Sequence, residues 1–426
     1  MGSQHRSRPL RLGVILVAGW LTGCSYIPWF GGEKDPDPPT KLTDIQQEVG
    51  IDEIWSERPT RGSEGRRLYL VPALAGGRLY VADARGRVAA VAADSGKTLW
   101  SRDTGLTCSG GPDVAGERLA LGTSQGDLVV LATTDGHELW RAKVGSEVLS
   151  EPRFTDDGKI VVHTLDDSVY ALDAQTGKPL WHVNYPAPVL TLRGSSTPVV
   201  TPSGILVGLS GGKLIKLDPK DGNPIWEVVV SRPSGRSELA RITDIDADPV
   251  VVGNRIYVGS YNGDLAAIDE VSGSVLWRRE LSAHAGLSVD ASGLYVTDSQ
   301  DDVWAADTEN GAGRWKQAHL AKRRLTAPAL QDQLILVGDL EGYLHLIDKT
   351  SGRLVGRTRL TKKAITARPL VSGGRVYVYA DDGTLSALSV RGTPLNKGRA
   401  GASGKDPAAA VPADMEQIPA TTKSVP

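Results

Sequence analysis

Residues 76–100 read GGRLYVADARGRVAAVAADSGKTLW. Residues 78–82 and 87–91 are short, mostly apolar runs bounded by turn residues, and they read as strands. Between them lies a glycine-bearing turn, Ala84-Arg85-Gly86. A second turn, Asp94-Ser95-Gly96, leads into a third strand ending at Trp100. The unit then returns along the chain. Its Gly-x-x-x-Trp signature recurs as Gly136/Trp140, Gly177/Trp181, Gly222/Trp226, Gly273/Trp277 and Gly311/Trp315. Trp55 fits the strand without the glycine, and at Gly352 the tryptophan slot holds Gly356, so eight slots are present.

The strand ahead of that turn also occurs eight times, as RVAAV, DLVVL, SVYAL, KLIKL, DLAAI, DVWAA, YLHLI and TLSAL. A GGRLYV-like strand precedes it in each copy, and most copies carry a further, proline-headed strand just ahead, at Pro72, Pro112, Pro152, Pro198, Pro249, Pro328 and Pro369. Four strands per repeat of about forty residues is the period of a propeller blade. The expected fold is therefore all-β: an eight-bladed β-propeller of four-stranded antiparallel blades over residues 50–391. An open solenoid of the same period is the alternative. Closure is favoured because the last copy ends at TLSAL without a tryptophan strand, while the first begins with a lone one at Ile54-Trp55. The N-terminal strand can complete the last blade and remove the exposed edges.

Outside the ring, Arg6, Arg8 and Arg11 precede an apolar run from Leu12 to Leu21 and then Leu21-Thr22-Gly23-Cys24. That is the layout of a signal peptide over 1–23, and its apolar run is too short to remain as a membrane span. Residues 24–49 read as a Pro/Gly-bearing flexible tether, in which Trp29 and Phe30 either touch the membrane interface or pack nowhere in particular. Residues 392–426, rich in Ala, Pro, Gly and Lys, read as a disordered tail. Loss of 1–23 removes three arginines and no acidic residue, taking the formal charge from −2 to −5. That balance, with no basic stripe of interleaved aromatics, argues against nucleic acid. Cys108 is the one thiol beyond Cys24 and reads as a small buried side chain.

No constellation proposes a reaction. None of the seven histidines pairs with another at metal-ligand spacing, and His137 reads as solvated. Gly122-Thr123-Ser124-Gln125-Gly126 has the letters of a nucleophile elbow but joins two strands rather than a strand and a helix. Gly208, Gly211 and Gly212 read as turn glycines. Asp94, Asp221, Asp301 and Asp382 are explained by Asx-turns. The chain is expected to be a binding scaffold without catalytic residues, metal or cofactor.

In a propeller, departures from the repeat mark function. The distance from a blade-ending tryptophan to the next proline is 12 residues after Trp100 and Trp140, 17 after Trp181 and 23 after Trp226 (and 17 after Trp55). The two enlarged connections after Trp181 and Trp226 belong to consecutive blades, so they are neighbours on one face. The first, YPAPVLTLRGSS, sets Val189, Leu190 and Leu192 beside Arg193. The second, SRPSGRSELARITDIDAD, carries Arg232, Arg236, Glu238 and Arg241, then Asp244 and Asp246. Exposed aliphatics rimmed by charge form an interface pattern. The alternative is that Leu190 and Leu192 tuck into the blade junction and Asp244 and Asp246 cap a turn.

The D-x-x-x-G-x-x-x-W pattern of Asp173 to Trp181 and Asp218 to Trp226 resembles the PQQ-like propeller repeat. Leu21 to Cys24 resembles a bacterial lipobox, which implies lipidation of Cys24. Ser25 after it implies sorting to the outer membrane. Lipobox, short tether and eight blades together, over residues 24–391, resemble the propeller lipoproteins of the outer-membrane β-barrel assembly machinery. The tokens from Pro188 to Gly194 and from Asp244 to Val252 match the interaction loops of that family. The resemblance implies that Leu190, Leu192, Arg193, Asp244 and Asp246 contact the periplasmic POTRA region of BamA within the BAM complex. It also implies a lipid-anchored position on the periplasmic side of the outer membrane, and nascent outer-membrane proteins as further partners. The C-terminal extension after Gly392 departs from the family pattern. PQQ-dependent quinoprotein dehydrogenases use related repeats, but they are longer and usually carry adjacent cysteines, which this chain lacks. A generic envelope scaffold is the third possibility.

Overall fold

The computed structural model describes residues 38–66 and 68–391. The signal segment, Cys24 and the C-terminal tail lie outside the described residues. Eight antiparallel sheets follow one another along the chain, beginning with Ala73–Ala75, Arg78–Ala82, Arg87–Ala92 and Thr98–Asp103 in blade one. Blade eight is built from Leu370–Ser372, Arg375–Tyr379 and Leu385–Arg391, and its outer strand is the N-terminal Gly50–Glu57. Gly50 lies opposite Arg391 and Glu57 opposite Leu385, so the first strand closes the ring as expected. Blade two differs from the expected four strands: Tyr69–Leu70 adds a fifth, parallel to Cys108–Ala115 at Gly110 and Gly111.

Burial explains the blade order. The second and third strands are buried along almost their whole length, as in Asp127–Ala132 and Gly204–Leu209. Each is covered on both faces by neighbouring blades, which matches the nearly continuous apolar runs of these strands. The outer strands keep an exposed face, as in Thr98–Asp103, and the short inner strands are part-exposed, as in Val199–Thr201.

The Gly-x-x-x-Trp signature turns out to join different blades. A Cβ added to Gly136 would lie 2.6 Å from the ring of Trp100; one on Gly177 would lie 2.5 Å from Trp140, and one on Gly222 2.6 Å from Trp181. Gly96 receives Trp55 in the same way, across the seam of the ring. Each indole also donates its Nε1–H into the next blade's turn, as from Trp100 to the Thr133 carbonyl (2.9 Å) and from Trp181 to Pro219 (3.0 Å). The receiving glycines have φ near +70°, so both conformation and space demand glycine there. Gly356 has no such partner: blade eight lacks that turn because its outer strand comes from the N-terminus. Ile51 Cδ1 sits 3.6 Å from where a side chain at 356 would start.

Residues 40–49 depart from the flexible-tether expectation. They run along blade seven's outer strand, Leu354–Arg359, where the Glu48 and Val49 N–H groups donate to the Val355 carbonyl (2.8 and 3.2 Å). Val49 is 1% exposed and belongs to the core between blades seven and eight. Isolated apolar residues in a polar stretch gave no periodic signal of this docking.

Candidate functional site

Strands within a blade alternate in direction. The turn between strands two and three, and the connection to the next blade, therefore share one face, here the connection face. The other turns, with their Trp–Gly joints, form the opposite hairpin face. Both enlarged connections, 185–198 after blade three and 230–249 after blade four, lie on the connection face.

Asp244 holds them together. Its Oδ2 accepts the N–H of Leu192 in the first connection (2.6 Å), and its Oδ1 accepts the N–H of Gly211 in the turn of blade four (2.9 Å). Its own carbonyl accepts the Tyr261 N–H from the turn of blade five (2.9 Å). One residue thus ties two connections to two blades. Asp244 is only 2% exposed, and burial raises its pKa while the Gly211 and Leu192 N–H groups oppose that rise. Asp246 is also buried, against Gly194, where an added Cβ would lie 2.5 Å from its carboxyl carbon. Burial, with Asp244 nearby, pushes the Asp246 carboxyl up to about 7. Neither aspartate presents an open carboxylate; both shape the loops from beneath. The exposed members of the expected set are Leu190 and Arg193, while Leu192 is half-buried at the channel mouth.

Glycines make room for this arrangement. Gly208 lies inside the strand Gly204–Leu209, not in a turn, and a Cβ there would meet Ile245 at 2.3 Å. Ile245 of the second connection is thereby buried against blade four. Beneath the first connection, His163 Nδ1 lies 3.0 Å from the Ser196 carbonyl. A carbonyl only accepts, so this nitrogen carries the proton. Arg193 reaches back to Glu147 in the preceding connection (2.6 Å).

The resulting surface is apolar and cationic. Val189 is fully exposed, Leu190 is 43% exposed, and Leu239, in the short 3-10 turn Leu239–Arg241, is 70% exposed. Leu239 carries no signal in the sequence, because one leucine in a charged stretch has no periodicity. Arg232 and Arg236 are exposed, without an ion pair among the described residues. A groove of about 330 Å³ separates the two connections, lined by Tyr185, Pro186, Pro188, Val229 and Pro233 with Arg232 at its rim. On their inner side the connections reach the axial channel, about 2060 Å³, where Glu151 pairs with Arg153 (2.8 Å).

The other sequence candidates have structural places. His137 is exposed beside Asp135 (2.6 Å). Gly126 is in a turn, with no helix following Ser124. Asp221 and Asp382 do form Asx-turns, to Asn223 and Thr384, whereas Asp301 instead binds the N–H groups of Arg324 and Leu325 in the next connection. Among the described residues no group of three or more His, Cys, Asp or Glu side chains is arranged to hold a metal ion.

Comparison with known proteins gives a consistent picture. The family described as outer membrane protein assembly factor BamB matches residues 52–106, 84–317 and 314–395. A relative of that name from Alkalilimnicola ehrlichii is 41% identical over 359 residues, 84% of this chain and 92% of its own. Another from Pseudomonas aeruginosa is 38% identical over 378 residues, 89% of this chain and 98% of its own. The crystal structure of BamB from Moraxella catarrhalis superposes with a TM-score of 0.72 at 26% identity, covering 80% of this chain and all of that one. A quinohemoprotein alcohol dehydrogenase from Comamonas testosteroni, at 13% identity and a TM-score of 0.64 over 83% of this chain and 78% of its own, shares the fold alone.

Proposed function

The chain belongs to the family of the outer membrane protein assembly factor BamB, and from that membership we propose that it is a non-enzymatic scaffold of the outer-membrane β-barrel assembly machinery. The ring docks on the POTRA region of BamA through its two enlarged connections and so assists the insertion of outer-membrane proteins. The observation that carries this reading is the Asp244 latch, which makes one surface of two connections that are otherwise separate. A surface built from Val189, Leu190, Leu239 and the exposed Arg232 and Arg236 suits a partner with apolar side chains flanked by carboxylates. Leu190 and Arg193 touch the partner in this reading; Leu192, Asp244 and Asp246 hold the contact surface in shape. Lipidation of Cys24 keeps the ring at the periplasmic side of the outer membrane, where several acyl chains anchor firmly. Nascent outer-membrane proteins are the further partners this role brings within reach.

The test is a mild-detergent pull-down of the tagged protein beside a Leu190→Ala/Leu192→Ala/Arg193→Ala variant, with thermal melts to establish equal folding. BamA should come down with the parent and be lost with the variant. Retention of BamA by the variant places the contact elsewhere, and its absence from both sinks the scaffold reading.

A further inference from the structure

We propose that residues 39–49 are a clasp rather than leash, and that the clasp delivers the membrane anchor to the connection face, so that the face bearing the latched loops is turned toward the lipid surface. The orientation rests on the reading of Cys24 as the anchor; the clasp itself does not.

Strand Gly50–Glu57 begins at the hairpin face, since Gly50 pairs with Arg391 at the far end of Leu385–Arg391. A leash starting at Gly50 would leave from that face with 26 residues back to Cys24, a reach of roughly 90 Å. The clasp reverses this. From Val49 the chain runs back along blade seven, with Arg357 Nη1 donating to the Thr43 carbonyl (3.0 Å). At its far end the Thr40 N–H donates to the Ala321 carbonyl (3.2 Å), in the connection after blade six. The departing chain is therefore on the connection face, and only 15 residues separate residue 39 from Cys24, a reach of roughly 50 Å.

What holds the clasp is a buried polar node. Arg323, 1% exposed, donates through Nε to Asp339 Oδ2 (2.8 Å), through Nη1 to the Thr40 carbonyl (2.9 Å) and through Nη2 to Glu341. Asp339 is wholly buried and also accepts from His345 Nε2 (2.9 Å) and from the N–H groups of Glu341 and Tyr343. Arg357 Nε donates to His345 Nδ1 (3.2 Å), so the imidazole carries its proton on Nε2, toward Asp339. The node is satisfied with the clasp in place. Withdrawing it strips the buried Arg323 of the Thr40 acceptor, and a buried donor without a partner is costly; the half-buried Arg357 loses Thr43 at the surface. Leu42 adds apolar contact with the core between blades six and seven.

The test uses the full lipidated protein on vesicles. Amide hydrogen exchange at Thr40, Glu48 and Val49 should be slowed at least about 100-fold relative to an unstructured chain. Arg323→Met/Arg357→Met should release Thr40. Energy transfer to a lipid-bound acceptor is read from a dye at Lys362→Cys, on the connection face of blade seven, and at Gln333→Cys, on its hairpin face. Transfer should be stronger from Lys362 in the parent, and that advantage should vanish in the double variant. Unprotected amides at 40–49 overturn the clasp, and equal transfer from both dyes in the parent overturns the orientation. If mass analysis finds Cys24 unacylated, the anchor reading and the orientation fall together, while exchange still decides the clasp.

Discussion

Replacing Asp244 by alanine removes a carboxylate that binds the backbone N–H groups of Leu192 and Gly211 at 2.6 and 2.9 Å. Hydrogen bonds to a charged group contribute about 1.5–3 kcal/mol each. Burial already raises the pKa of this carboxyl, a sign that its charge is poorly solvated, so the lower value is appropriate. Loss of the Leu192 bond alone then costs about 1.5 kcal/mol of order in the first connection, and loss of both about 3 kcal/mol. If only the ordered surface binds, affinity for a purified POTRA fragment of BamA is expected to fall between about 10-fold and 150-fold. Titration calorimetry reads the affinity, and amide exchange reads Leu192. Exchange at Leu192 should accelerate in Asp244→Ala and stay unchanged in Leu190→Ala, although both variants bind weakly. Weak binding by Asp244→Ala with Leu192 still protected would refute the latch, because Asp244 would then act by touching the partner. Undiminished binding with Leu192 released would show that loop order is irrelevant.

Asp246 carries a pH signature. Its folded pKa of about 7 exceeds the ordinary value of 3.8, so between those values the folded state holds a proton that the unfolded state has lost. Stability from this group is therefore present below about pH 4 and lost as pH rises toward 7. Asp246→Asn should melt close to the parent at pH 4 and above it at pH 8; a constant difference across that range removes the assignment. At the blade joints, Gly222→Ala places a Cβ 2.6 Å from the Trp181 ring at φ +74°, whereas Gly76→Ala, at φ +55°, meets nothing within 4 Å. Denaturant unfolding should show a loss of about 2–4 kcal/mol for the first, from strain plus overpacking, and about 1–2 kcal/mol for the second. The Cys108 thiol is buried and pushed up to about 12, so in protein lacking residues 1–24 it should resist alkylation at pH 8 until denaturant is added. Rapid labelling of the folded protein would contradict that burial.

The ring was legible because its repeat is written in residues that sterics leave little freedom to change. Glycine at φ near +70° and an indole of fixed size survive in seven copies, and counting them yields the blades. That the glycine and tryptophan of one copy serve different joints was not legible, since spacing along the chain says nothing about which blade an indole leans on. The enlarged connections were visible as length, and their adjacency followed from strand direction. For Asp244 and Asp246 the sequence offered a charged rim or turn caps, and neither reading contained a link between the two connections. Alternate aspartates around Ile245 read as an exposed charged edge, whereas here Ile245 enters the space left by Gly208 and draws both carboxylates inward. The docking of 40–49 was hidden for a related reason: its main attractions are backbone carbonyls, which every residue has, meeting arginine side chains some 280 to 315 positions away.

The Trp–Gly joints also bear on how such a ring can be rewired. Because every ordinary joint is the same handshake between neighbours, a duplicated forty-residue unit would arrive with both of its hands free to be taken. The joint between blades seven and eight is the exception, where Val49 and Ile51 stand in for an indole at position 356. Moving the termini to another hairpin turn, such as that at Gly253, would therefore require more than a linker from Arg391 to Gly50. The new linker would need a D-x-x-x-G turn and position 356 a tryptophan, after which the clasp would be redundant. The N-terminal strap and the missing tryptophan are one decision about where the circle was cut.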